Sequence, residues 1–533
     1  MGDAGHGAAM LVPAERSLSE ELTHSGAYDG FDESGYPGVN LYPEQRHHVR
    51  QLYQVLLHSP FAIDLSETGT GKTACAATLA QAFRYALVIA PKNVLPKWVG
   101  ELERCGLAEP DSCLVLTWQA MKLPKHELVE EHIVKGGAQF WTPTEKWRRI
   151  VLERRALVIF DEAHKMKNSG TGFSGAAKAL LEPILCGDSS RGSRAMLLSA
   201  TLVDKPEGMF TFMDVLRMLG SDEPHLKAEQ RLWDQAERVS PAMPHLLDWC
   251  QTHGGTHYTA HADLLQGDPE SKQEAWACAV HAWKSTVAQR FARLMVTPGH
   301  EFKQVGLSAS FPVQSRKEFA RIEMASRFAS RCTDNGSKEK KESLFKAISE
   351  YEMAKVELVA RVATQILETT GDSKVVIAAS RRDAMAQLQK KLARYGAVEL
   401  HGDQSAKKRE VVRCAFQSSA AASPRAAIGQ ISVIAAGIDL DDQEGHRPRT
   451  TLAVPQYRAI DLSQLMGRTH RRTTRSHSAF ALVYAKGAEE PVTTHRNGAA
   501  LHAKAKVIQE PVASTSARPC WSCCLGMTRQ MDR

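Results

Sequence analysis

The stretch "SETGTGKT", Ser66–Thr73, lies between an apolar run, "FAIDL", and a helix-like run, "ACAATLAQAF". It reads as strand, tight glycine-containing loop, helix. A loop of pattern G-x-x-x-x-G-K-[ST] turns backbone N–H groups inward at the positive end of the following helix, where an anion binds. Ser66 stands where the pattern has its first glycine, and a serine is small enough to fit. Backbone N–H groups around Gly69 and Gly71 face the phosphates, Lys72 supplies a point charge to the outer ones, and the Thr73 hydroxyl takes magnesium. A plain strand–helix turn would carry the same glycines, so the loop needs a companion. "ALVIFDEAH" is that companion: Asp161 at the end of an apolar run for the metal, and Glu162 to orient or deprotonate the attacking water. Adjacent carboxylates at a strand end are costly without a cation nearby.

The rest of the chain repeats this rhythm. Between residues 41 and 220, "FAIDL", "ALVIAP", "CLVLTW", "RALVIFDEAH" and "AMLLSAT" alternate with helical stretches. Continuous apolar runs separated by helices predict a buried parallel sheet. From 221 to 365 no such runs appear, and a helical insertion is expected, with a solvated loop at "DNGSKEKKES". Its four tryptophans, Trp233, Trp249, Trp276 and Trp283, read as core rather than as a duplex-gripping wedge. The strand rhythm returns over 366–490, with "KVVIAAS", "AVELHG", "ISVIAAG", "TTLAVPQ" and "AFALVYA". Residues 1–40 read as a loose leader and 491–533 as a tail. "CWSCC" with His495 and His502 has one C-x-x-C and no second pair, so a frayed tail fits better than a zinc site.

Bulk composition narrows the class. The 533 residues are 43% apolar, enough for sizeable cores. A formal net charge of +7 is compatible with a nucleic-acid partner. Eleven unevenly spaced cysteines, one inside the phosphate-loop helix, suit a reducing compartment. With neither a signal segment nor a long apolar run, the expectation is an intracellular protein of nucleus or cytoplasm, neither secreted nor membrane-bound.

On these residues the chain resembles superfamily 2 helicases and translocases. "SETGTGKT" and "DEAH" (Asp161–His164) resemble their first two motifs. "LLSAT" (Leu197–Thr201), "VIAAGIDL" (Val433–Leu440) and "QLMGRTHR" resemble the third, fifth and sixth, in order. The resemblance implies a fold: α/β, two RecA-like parallel-sheet domains in tandem with a helical insertion between them. It also implies an ATP-dependent, most simply DNA-dependent, motor using ATP and Mg2+, with RNA as the alternative substrate. A non-catalytic nucleic-acid scaffold is the reading from another class. Other proteins of a replication, repair, transcription or remodelling complex are implied partners.

"LYPEQRHHV" and "VIAPKNVLPKWVGEL" resemble segments of SWI/SNF-type ATPases, and by that match Gln45 contacts adenine. "GRTHR" is closer to strawberry-notch-type helicases and to helicases of large DNA viruses. The resemblance further implies that His164, Ser199, Ala200 and Thr201 couple nucleotide state to the nucleic-acid track. Gln464, Gly437 and Asp439 would lie at the nucleotide cleft. Arg468 and Arg471 would be arginine fingers delivered by the second domain. Glu67, Thr68 and Thr70 complete the ATP loop. Pro91, Lys92, Thr117, Ser380, Arg381, His401 and Gly402 are the expected nucleic-acid contacts, mostly to backbone phosphates.

Overall fold

The computed structural model describes residues 34–488 apart from 108–110, 124–125, 134–138, 169–170, 187–191, 201, 203–205, 218–286, 288–289, 296–303, 332–337, 436, 455–458 and 472. The chain divides near Thr297 into two compact units.

In the first unit, β1 (Gly35–Tyr36) and β2 (Val39–Asn40) pair antiparallel ahead of α1 (Pro43–His58). Then follow β3 (Phe61–Asp64), α2 (Lys72–Ala80), β4 (Tyr85–Ala90), α3 (Leu95–Arg104) and β5 (Cys113–Thr117). An antiparallel hairpin, β6 (Val129–Ile133) and β7 (Gln139–Pro143), precedes α4 (Glu145–Arg154) and β8 (Ala156–Asp161). The unit closes with α5 (Gly172–Leu185), β9 (Arg194–Leu198), α6 (Pro206–Val215) and β10 (Ala292–Arg293). The main sheet is parallel throughout, in the order β10-β3-β9-β8-β4-β5. Alternate residues of each strand face opposite sides, so the apolar runs feed two cores. Phe61, Leu87, Val158 and Leu197 pack with Trp147 of α4 and Leu180 of α5. Ala62, Val88, Ile159 and Met196 pack with Leu52 of α1, Leu79 of α2 and Leu102 of α3.

The second unit begins with β11 (Gln304–Phe311) and three helices: α7 (Arg316–Arg331), α8 (Lys338–Ala354) and α9 (Val356–Thr369). Then come β12 (Lys374–Ala379), α10 (Arg382–Lys391), β13 (Val398–Leu400), α11 (Ala406–Gln417), β14 (Ala426–Gln430), β15 (Arg449–Ala453), α12 (Ala459–Met466) and β16 (Ser478–Ala485). Its sheet is also parallel, in the order β11-β16-β15-β12-β14-β13. Val375, Ile377, Ile428 and Val483 pack with α9 and α10, while Val376, Ala427 and Leu482 pack with Phe416, Leu462 and Leu465. Two RecA-like α/β units in tandem are thus present.

Three local expectations change. The stretch 221–365 is not strand-free: β10 and β11 lie within it and extend the two sheets. The β10 strand is two residues long, and Gly and Ser interrupt the apolar pattern of "QVGLSASF", so neither shows as an apolar run. The loop expected at "DNGSKEKKES" gives way to α8 from Lys338 onward. "ISVIAAG" is not a strand. Ile431–Ile434 is a helical turn, and the strand is the preceding "AAIGQ", whose small side chains hide its character. The four tryptophans of the insertion and the "CWSCC" tail lie outside the described residues.

Candidate functional site

In a parallel α/β sheet the loops that follow the strands gather at one edge. In the first unit that edge carries Ser66 after β3, Pro91 after β4, Thr117 at the end of β5, Asp161 at the end of β8 and Ser199 after β9. The phosphate loop needs left-handed backbone at Gly69 (φ +88°) and Gly71 (φ +98°), and Gly71 caps α2. A Cβ on Gly71 would stand 2.3 Å from Gln45 Nε2, so the glycine also admits the amide of α1. Lys72 donates to the loop's own carbonyls, Ser66 O at 2.7 Å and Glu67 O at 2.9 Å. Glu67 is exposed, Thr68 and Thr73 are partly exposed, and Thr70 is buried.

Asp161 ends β8 with its Oδ2 accepting from Trp98 Nε1 at 2.9 Å, while Trp118 Nε1 donates to its backbone oxygen at 2.8 Å. Burial first, then the neighbouring Glu162 carboxylate, raises the Asp161 carboxyl to about 6, against the pull of Trp98, Lys72 and Lys97. A cation beside the two carboxyl groups would favour their charged forms. Glu162 adopts left-handed backbone (φ +58°) at the start of the 3-10 helix Ala163–Lys167. Its Oε2 lies 3.2 Å from His164 Nδ1, which is also 3.4 Å from Ser199 Oγ. The backbone N–H of Ser199 donates to Asp64 O at 3.1 Å, tying the third motif to β3. Ala200 follows directly, and Thr201 lies outside the described residues.

Among the expected nucleic-acid contacts of this unit, Lys92 is exposed and Pro91 is buried at the head of a 3-10 turn. Thr117 spends its hydroxyl capping the turn Trp118–Met121, accepting from Ala120 N at 2.9 Å.

In the second unit the stretches Val433–Leu440 and Gln464–Arg471 converge on Asp439. Its carboxylate pairs with Arg471 and lies 3.6 Å from Arg468 Nη1. Arg468 is buried and donates its Nε to Ala435 O at 2.9 Å, while its own carbonyl accepts from Leu440 N. Gly437 sits between them at φ +133°, and Gln464 is buried on α12. Ser380 and Arg381 follow β12, and both backbone N–H groups donate to the Glu352 carboxylate of α8. Burial raises that carboxyl to about 7, against those two hydrogen bonds and Arg381. His401 and Gly402 follow β13: His401 N donates to Gln404 Oε1 at 3.1 Å and Gly402 N to Gln430 Oε1 at 3.2 Å.

Sequence reasoning missed Trp98, Trp118, His48 and Glu352. Trp98 was within reach through the W-x-x-E spacing of "KWVGEL". Nothing in the sequence signals that Glu352, 28 residues upstream, caps Ser380.

Residues 46–209 match the DEAD/DEAH box helicase family model. The L364 protein of Acanthamoeba polyphaga mimivirus, whose name describes an ATP-dependent RNA helicase, is 26% identical over 232 residues, 38% of this chain and 41% of that one. Protein CHROMATIN REMODELING 24 of Arabidopsis thaliana is 29% identical over 196 residues, 32% of this chain and 17% of that one. The chain thus matches less than half the length of either relative. A solved structure, the Sulfolobus solfataricus SWI2/SNF2 ATPase core in complex with dsDNA, shares 12% identity over 85% of this chain and 89% of its own, at a TM-score of 0.33. No helix among the described residues is long and apolar enough to cross a membrane.

Proposed function

We propose that the chain is an ATP-dependent nucleic-acid translocase or helicase of superfamily 2, acting on DNA. The observation that carries this is the convergence, on one sheet edge, of the phosphate loop Ser66–Thr73, the Asp161–Glu162 pair and His164–Ser199. The loop's amides and Lys72 hold the ATP phosphates, and Gln45 contacts adenine. Hard oxygen donors suit magnesium. The Thr73 hydroxyl and Asp161 would hold the ion, whose charge stabilises the transferring phosphoryl group. Glu162 activates the water. On the second unit Arg468 and Arg471 supply positive charge to the transition state, worth about a thousandfold or more in rate. Asp439 holds both guanidinium groups in register, Gly437 permits the bend that leads into Asp439, and Gln464 senses the γ-phosphate.

The SWI/SNF-like segments around Gln45 and Trp98 support duplex DNA as the substrate. The mimivirus relative's name supports a second reading, an RNA helicase. ATP hydrolysis measured alone, and with duplex DNA, single-stranded DNA or RNA, separates the two. Stimulation by duplex DNA is expected. Stimulation by RNA alone would replace the first reading with the second. Nucleic-acid binding with no turnover under any condition would leave a scaffold.

A further inference from the structure

The geometry points to His48 as a positioning residue for the phosphate loop: through Asp64 and Ser66 it holds the loop's first residue in place. This rests on the reading of Ser66–Thr73 as the nucleotide loop. Gln45 and His48 lie three residues apart on α1, and so on one face of the helix. Gln45 reaches Gly71 at the end of the loop. His48 reaches its beginning: Nε2 is 3.1 Å from Asp64 Oδ1 and 3.2 Å from Ser66 Oγ. One helix face therefore brackets the whole loop.

The site is sealed. His48, Asp64 and Ser66 are 1%, 0% and 0% exposed. Ser66 N donates to Asp64 Oδ1 at 2.9 Å, and Ser66 Oγ accepts from Met295 N at 2.9 Å, just beyond β10. The Ser66 hydroxyl thus joins three segments distant in sequence: α1, the loop and the chain after β10. A glycine at this position would keep the backbone donation to Asp64 but lose the hydroxyl's contacts with His48 and Met295, which gives the departure from the loop pattern a purpose.

A serine, a histidine and an aspartate in contact invite a hydrolase reading, and the geometry rejects it. In a nucleophilic triad serine and aspartate use opposite ring nitrogens. Here both address Nε2, His48 Nδ1 has no hydrogen-bond partner among the described residues, and the Ser66 hydroxyl is sealed from solvent. Asp64 is held ionised: burial pushes its carboxyl up, but His48, Lys72 and the Ser66 hydrogen bond bring it below the usual carboxylate range. An ionised Asp64 can only accept, so Nε2 carries a proton and donates. Without that donor a buried carboxylate loses a partner, and the chain at Ser66 must shift to compensate.

The test compares His48→Gln with His48→Asn. The glutamine amide can place an N–H where Nε2 stood, and the shorter asparagine amide cannot. KM for ATP, kcat and thermal unfolding are measured on the full chain, with Ser66→Ala as a third variant. His48→Asn and Ser66→Ala are expected to raise KM about tenfold with little change in kcat, and His48→Gln to restore most of the loss. The double variant His48→Asn/Ser66→Ala should be no worse than either single one. Equal KM for the two histidine variants, or Ser66→Ala indistinguishable from the parent, overturns the role of His48 alone. A parent chain that neither binds nor hydrolyses ATP overturns the nucleotide reading and this inference with it.

Discussion

Glu162 is a non-glycine residue on left-handed backbone, a conformation costing about 1–3 kcal/mol that persists only where the surroundings enforce it. β8 enforces it from one side and the short helix Ala163–Lys167 from the other, and the twist sets the carboxylate beside His164. A side chain held at such cost is suited to aim at one water. Glu162→Gln keeps the shape and removes the base, so it should bind ATP normally and hydrolyse it at least about a hundredfold more slowly. Near-parental single-turnover rates in that variant would contradict the assigned role. At this scale the sequence singled out Lys72, Asp161 and Glu162 as candidates through their place after apolar runs, and the structure sets Asp161 at the end of β8 with Glu162 next to it. The sequence could not show that Trp98 holds Asp161, because that hydrogen bond joins positions 63 apart.

Individual elements place these side chains, and their ends are the sensitive points. At the head of α2, Gly71 meets two demands at once, a φ of +98° and room for Gln45. Gly71→Ala should therefore abolish measurable ATP binding while the rest of the first unit stays folded; binding within a few-fold of the parent would refute the packing argument. At the end of β12 the controlling residue is Glu352. Its carboxyl, raised to about 7 by burial, keeps its proton in the folded chain where the unfolded chain has released it. Stability then falls as pH rises from about 4.5 through 7, by at most about 3 kcal/mol. Glu352→Gln mimics the protonated form and should flatten that dependence in urea titrations across the interval. An unchanged slope would rule the residue out. The strands most legible in sequence were those with unbroken apolar runs, such as β4 and β8. Of the strands in the two parallel sheets, those missed, β10, β11 and β14, are short or rich in Gly, Ala and Ser, and their partners rather than their own pattern make them strands.

For the whole molecule, the proposed track for nucleic acid makes a prediction that no single residue carries. Contacts to phosphates release counterions, so the nucleic-acid concentration giving half-maximal ATPase stimulation should rise at least about tenfold between roughly 50 and 200 mM salt. About two phosphate contacts suffice for that slope, and a salt-independent midpoint would remove the phosphate track. The sequence by itself determined two parallel α/β sheets, a tight glycine-bearing loop ahead of α2 and a pair of adjacent carboxylates at the end of β8. Each of these is written in contiguous residues whose apolar runs, glycines and charges act locally. The tertiary structure alone decided what backs the loop and the motifs. His48, Asp64, Ser66 and Met295 meet, Glu352 takes the amides of Ser380 and Arg381, and Asp439 gathers Arg468 and Arg471. Those contacts join distant positions through buried polar groups that must find partners, and a pattern along the chain does not record which partner each one finds.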